Sequence, residues 1–292
     1  MRIASFDETL QTLAGLDGWL TALGIPLKRD RWHEAAATVE RAKEQREKIE
    51  CGIRRSPVAN YVPGLFDAME IYEIIRAFSA DRSPALKTKV ARAVSGPIFP
   101  LEEQPKNSVA RNAMFELALA ADWKNGGGEV ELGEPDILLR VDATSFQVEC
   151  KRPFHEHSVR ANIQHAARQL GKELDRSGNA NDFGVVAISL SRAFLHGQVC
   201  LAPDGEGSRV LTEALDEIIE DHSNEWRVKG FLNFHERIVA VMFHLAAPWD
   251  VNRERLIHLS TSNFVQAGKS AEGFRLLERS ISKILPAKSD SG

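Results

Sequence analysis

The spacing of apolar residues changes character about a third of the way along the chain. Up to residue 95 it is helical: Leu10, Leu13 and Leu16 recur in the first segment, and Leu65, Met69, Tyr72, Ile75 and Phe78 in the stretch from Gly64 to Phe78. Between them, Arg31 to Arg55 is densely charged, with Glu40, Lys43, Glu44, Glu47 and Lys48 at spacings that support a helix. Asp7 is placed to cap the first helix, and Gly24-Ile-Pro26 to end the second. Gly96-Pro97 and Pro100 break the pattern, and Glu102 to Asn107 reads as a linker.

Beyond residue 107 helical and two-residue periods alternate. A helix through Ala110 to Asp122 is ended by Asn125-Gly-Gly-Gly128. Strands are predicted near 129–132, 136–141 and 145–151, the last closed by Pro153, which cannot donate to a central ladder. A helix over 156–176 precedes Phe183 to Leu190, a continuous apolar run that suits a strand buried on both faces. A loop at Pro203 to Ser208, a helix, strands at Ile238 to Ala246 and Leu256 to Ser260, and a helix over Ala271 to Ile284 complete the pattern. The expected fold class is mixed α/β (α+β): a helical region over 1–100, an α/β domain over 101–287 with a central mixed sheet flanked by helices, and a disordered tail over 288–292.

The polar faces of two adjacent predicted strands carry the chemistry. In Ser145-Phe-Gln-Val-Glu-Cys-Lys151, Phe146, Val148 and Cys150 share one face, and Gln147, Glu149 and Lys151 the other. Glu149 and Lys151, two residues apart, lie about 6.5 Å from each other. The preceding strand, Glu134-Pro-Asp-Ile-Leu-Leu-Arg140, opens with Asp136, and Asp142-Ala-Thr-Ser145 has the composition of a tight turn. Antiparallel pairing sets the Asp136 carboxylate beside Glu149. At an effective dielectric near 20, two unit charges ~6 Å apart cost about 2–3 kcal/mol, which Lys151 offsets only in part. A divalent cation resolves the conflict, and oxygen ligands suit a hard ion such as Mg²⁺.

Pro135-Asp136 followed by Glu149-Cys150-Lys151 resembles the PD-(D/E)xK nuclease superfamily over roughly residues 107–190. The resemblance implies a restriction-endonuclease-like core and metal-dependent phosphodiester hydrolysis. It assigns Asp136, Glu149 and the backbone carbonyl of Cys150 to Mg²⁺ (Mn²⁺ as a substitute), and Lys151 to the attacking water and the phosphate. It adds Glu116 from the upstream helix, as a direct, water-mediated or second-metal ligand, with Asp122 or Glu129 as stand-ins. On the downstream helix it points to Gln164 first and Gln169 second as a supporting polar residue. The QxxxY signature of one branch is absent. Arg160, Gln164, Arg168, Lys172 and Arg176 recur every four residues there, off the apolar stripe of Ile163, Ala167, Leu170 and Leu174. Such a row suits the phosphates of nucleic acid, with DNA preferred over RNA, although Glu173 and Asp175 dilute it toward an ordinary solvated face.

Composition adds limits. A 43% apolar fraction supports a core, and a net charge of −4 argues against bulk attraction to nucleic acid, so binding needs a local basic surface. Cys51, Cys150 and Cys200 form no paired motif. With no apolar run near the roughly 18 residues of a membrane span, and a polar amino terminus, a soluble cytoplasmic protein is expected. His155-Glu-His157 lacks a third ligand at metal spacing, Gly126-Gly-Gly128 reads as a turn, Ser158 and Ser191 lack a nucleophile context, and Trp19 and Trp32 read as core. Two rivals to the nuclease stand: an inactive nuclease-like module that binds nucleic acid or protein, and a helical adaptor with an α/β scaffold. The N-terminal region is expected to serve dimerisation, substrate selection or a protein partner.

Overall fold

The computed structural model describes residues 2–27, 30–50, 62–98, 102–195, 206–226, 235–249, 255–267 and 270–284. The chain divides into two compact units: Met1–Ala118 with Leu195–Leu211 and Ala246–Ser260, and Leu119–Phe194 with Thr212–Leu245 and Thr261–Gly292. Residues 51–55 of the charged segment, Cys51, Cys200 and the tail 288–292 lie outside the described residues.

In the first unit a four-residue strand, β1 (Arg2–Ser5), leads into α1 (Phe6–Leu13). The cap of α1 is Ser5 and not Asp7: Ser5 Oγ accepts the Glu8 N–H at 3.1 Å, while Glu8 Oε2 accepts the Ser5 N–H at 2.9 Å. Ser-x-x-Glu is a reciprocal capping box that satisfies two exposed donors at once, so it outcompetes a single Asp one turn position later. Asp7 lies in the first turn, beside the positive end of the helix dipole. Helices α2 (Leu16–Ala22), α3 (Arg31–Glu50), α4 (Val62–Phe78) and α5 (Pro84–Val94) follow. Gly24, at φ 67, ends the α2 turn. Trp19 and Trp32 stack at 6.1 Å between ring centroids, and the Trp19 indole N–H donates to the Phe78 carbonyl at 3.3 Å, tying α2 and α3 to α4.

His33, near the start of α3, lies 2.7 Å from Asp17 through Nε2 and 2.9 Å from Asp30 through Nδ1. A ring that donates from both nitrogens is an imidazolium. Burial pulls its pKa down, but the hydrogen bonds and charges of Asp17 and Asp30 outweigh burial and raise it above the usual histidine value. A raised folded-state pKa gives stability that is complete below about pH 6.5 and lost as the pH rises through the folded value. Asp17 is mostly exposed, so the contribution is about 0.2–1 kcal/mol. Urea midpoints should therefore fall more between pH 5.5 and 8.5 for the wild type than for His33→Ala; equal falls would exclude the two-carboxylate pairing.

In the second unit α6 (Val109–Asn125), whose first ten residues belong to the first unit, ends at Gly126 to Gly128, with Gly127 at φ 95. Then come β2 (Glu129–Leu132), β3 (Ile137–Val141), β4 (Thr144–Lys151), α7 (Val159–Ser177) and β5 (Asp182–Ser189). A further helix, α8 (Gly207–Trp226), strands β6 (Ile238–Trp249) and β7 (Arg255–Gln266), whose residues 207–211, 246–249 and 255–260 belong to the first unit, and α9 (Ala271–Ile284) finish the order. Strands β2 to β7 form a mixed open sheet in the order β7-β6-β5-β4-β3-β2. β4, β5 and β6 are parallel, and the β2-β3-β4 meander is antiparallel. β1 pairs antiparallel with the first half of β7, Arg2 opposite His258 and Ser5 opposite Arg255.

Two glycines decide which helix covers which face. A Cβ on Gly184 would meet Leu170 at 2.8 Å and Leu174 at 3.0 Å, so α7 lies on that face of the sheet. One on Gly273 of α9 would meet Phe183 at 2.8 Å, on the opposite face, where Phe146, Val148 and Cys150 are buried. Gly184 pairs with Gln147, so α7 covers the face that carries Gln147, Glu149 and Lys151.

Candidate functional site

Strands β3 and β4 are joined by Asp142-Ala143, a two-residue hairpin with Asp142 at φ 55 in the left-handed region that Asp tolerates. Ile137 stands opposite Val148. One more step of this register sets Asp136 opposite Glu149, which pairs in turn with Val186 of β5. Asp136 Oδ2 accepts the Cys150 N–H at 2.9 Å, fixing the carboxylate against β4 between Glu149 and Lys151. In an extended strand the N–H and C=O of one residue lie on the same edge, so the Cys150 carbonyl also faces the Asp136 side. Glu149 is 7% exposed, and Lys151 Nζ donates to its Oε1 at 2.6 Å.

Above this row lies α7. Partial burial and, after it, the charges of Lys151, Arg168 and Lys172 lower the pKa of His165. Three cations from β4 and α7 thus act on one histidine, a local positive field on a chain of net negative charge. His165 adjoins Gln164, the residue of this helix that the resemblance singles out. Its signal is the helical spacing to Arg168 and Lys172, the third and seventh residues after it.

The expected residues fall into three sets. Asp136, Glu149, Cys150 and Lys151 are together. Glu116 belongs to the first unit, where its carboxylate is paired with the buried Lys89. On α7, Arg168, Lys172 and Arg176 are exposed and Arg160 half-buried, with Arg176 paired to Glu173. Gly171 and Asp175 meet His235, the ring lying 3.1 Å from Asp175. At 100° per residue Arg160 and Gln164 share that flank, whereas Gln169 and Arg176 turn to the other. Among the described residues the Gln164 side chain makes no hydrogen bond, and the Gln169 Oε1 is buried without one.

His155 and His157 stack on each other at 5.2 Å, and the Ser158 hydroxyl donates to the His155 carbonyl. Their neighbour Glu156 instead joins His222 and Glu225, with one ligand atom from each lying within 4.8 Å of the others. That group brings together residues 66 positions apart and was not visible as a motif. Glu156 and Glu225 are exposed, and the His222 ring stacks on Trp226 at 5.1 Å, so packing accounts for its position.

Among the described residues no helix is long and apolar enough to cross a membrane. Comparison with protein-family models, with characterised proteins and with solved structures gave no match.

Proposed function

We propose that the chain is a metal-dependent nuclease of the PD-(D/E)xK type, hydrolysing phosphodiester bonds in DNA in preference to RNA, in restriction, phage defence or repair. One observation carries the reading: the Asp136 carboxylate is anchored on the Cys150 N–H, between Glu149 and Lys151, at the end of two paired strands. The donor set fits a hard dication, since Asp136, Glu149 and the Cys150 carbonyl offer only oxygen, and Mg²⁺ accepts one or two carboxylates while keeping waters. A bound dication would polarise the phosphate and acidify an attacking water. Lys151 would orient that water, hold the phosphate and move the proton, with Glu149 keeping its ammonium in place. Arg168 and Lys172 lie on the same side as His165 and suit backbone phosphates. Gln164, Arg160 and Arg176 remain outer members of the same reading, and the N-terminal helices its surface for a second copy or a protein partner.

The part-buried Glu149–Lys151 pair favours a second reading, a nuclease-like module that binds nucleic acid without cutting it. An ion pair is complete in itself without a metal. To separate the two, plasmid, linear single-stranded DNA and RNA are incubated with the protein in Mg²⁺, Mn²⁺ or EDTA, beside Asp136→Ala and Lys151→Ala. The nuclease gives cleavage that needs the cation and both side chains. Cleavage surviving both substitutions overturns the site, and binding indifferent to EDTA without cleavage selects the module.

A further inference from the structure

The loop that leaves Lys151 carries a run of rings. Phe154, His155 and His157 follow the end of β4, and His155 is at most about 14 Å along the chain from Lys151. Phe154 meets His155 edge to face at 4.8 Å between ring centroids, and His155 stacks on His157 at 5.2 Å with the planes 11° apart. The guanidinium of Arg192, from the segment after β5, lies 4.4 Å from the centre of the Phe154 ring.

Register and contacts place this run, within the second unit, on the face of the sheet that holds Glu149 and Lys151. Lys151 pairs with Ile188 and Ile188 with Phe243, so the Phe243 ring projects from that face. Trp226 packs on Phe243 at 5.1 Å, and His222 stacks on Trp226. The His222 Nε2 in turn lies 3.5 Å from Glu156, the residue between the two loop histidines. The carboxyl ends of parallel strands, here β4 and β5, are where open α/β sheets take their ligands.

These rings are held but not covered. The Ser158 N–H and hydroxyl both donate to the His155 carbonyl, at 3.0 and 2.5 Å, which fixes the turn. Phe154 is half-buried, while His155 and His157 are exposed. Among the described residues the only ring contact of His157 is its stack on His155, which leaves the outer face of its ring open. Such a stack lacks its next layer, and every nucleobase has a flat face to supply one.

We propose that Phe154, His155 and His157 form a stacking platform for an unpaired base of the strand that is cut, which makes single-stranded DNA the substrate class. The inference rests on the nuclease reading for the neighbouring phosphate. Bases inside a duplex already stack on their neighbours, so a single strand is what offers a free face. Stacking tolerates any base, so no sequence preference accompanies it.

The platform uses ring faces and not ring nitrogens, and the test turns on that difference. Fluorescence anisotropy compares labelled oligothymidine, an abasic strand of the same length and a blunt duplex, in EDTA so that none is cut. Oligothymidine should bind at least about tenfold more tightly than either. Replacing both histidines, His155→Ala with His157→Ala, should bring oligothymidine down to the abasic strand, whose own affinity stays as it was. His155→Phe with His157→Phe keeps the rings and should preserve the tenfold ratio. Equal binding of oligothymidine and the abasic strand, no binding of any probe, or a duplex bound as tightly as the single strand overturns the proposal. So does a preference that the alanines leave intact or the phenylalanines abolish. The expected pattern in a protein that never cuts DNA keeps the platform and removes the nuclease. Cleavage that needs Asp136, without the preference, does the reverse.

Discussion

Asp136→Asn is expected to lower phosphodiester cleavage at least about a hundredfold and to abolish stabilisation by Mg²⁺, while the unfolding midpoint in EDTA rises as the carboxylate repulsion is removed. The amide keeps a carbonyl oxygen in the place where Asp136 Oδ2 accepts the Cys150 N–H, so the hairpin end retains its anchor. Only the charge is lost. Directly opposed residues of an antiparallel pair bring their side chains to ~5 Å, where two carboxylates repel by about 3 kcal/mol at an effective dielectric of 20. Lys151 is bonded to Glu149, and its charge offsets part of that repulsion. A dication relieves the rest, and at a hundred times its Kd it stabilises the folded chain by about 2.7 kcal/mol. Without Asp136 neither the repulsion nor this gain remains, and losing one such electrostatic group costs ~10²–10³ in rate. Thermal unfolding in Mg²⁺ and in EDTA reads the metal term independently of activity. A variant stabilised by Mg²⁺ as much as the wild type would remove Asp136 from the metal site.

The hairpin was legible because its determinants are local. Parity alone separates Phe146, Val148 and Cys150, all buried, from Gln147, Glu149 and Lys151, and the turn residues fix the register that brings Asp136 to Glu149. The last helix, Ala271–Ile284, was equally plain from its 3.6-residue stripe. The features that escaped notice join distant parts of the chain. Four residues at the amino terminus carry no readable period, yet Arg2 to Ser5 pair with β7 some 250 positions later. β6 and β7 run to Trp249 and from Arg255 to Gln266, beyond their expected ends at Ala246 and Ser260, because pairing with a neighbour extends a strand past its apolar pattern. The spacing around Glu116 gave no sign of Lys89, 27 residues earlier. The hydrogen bond from Gln147 to Asp182 likewise exists only through the parallel pairing of β4 with β5.

Asp67→Ala should destabilise the first unit by about 3–5 kcal/mol, the largest stability loss expected of a single substitution in it. Asp67 lies on α4 and is 2% exposed. Arg111 of α6 grips it with both terminal nitrogens, NH1 to Oδ1 at 2.9 Å and NH2 to Oδ2 at 3.1 Å, while the Arg31 Nε lies 3.9 Å from Oδ2. Arg31 also donates to the Ala93 carbonyl of α5 at 2.9 Å. One carboxylate thus sits between two buried guanidinium groups from α3 and α6. Burial alone would depress the pKa of Arg111, yet the Asp67 charge, with Glu103 and Glu70 behind it, overcomes burial and raises it. Arginine does not neutralise itself by giving up a proton, so removal of Asp67 leaves two desolvated cations facing each other. That penalty is a large share of the 5–15 kcal/mol that holds a typical domain. Arg111→Met removes one of the two cations together with its bonds and should cost less than Asp67→Ala. Urea unfolding of both variants decides the matter: a loss below about 1 kcal/mol for Asp67→Ala would mean that water reaches the pair and screens it.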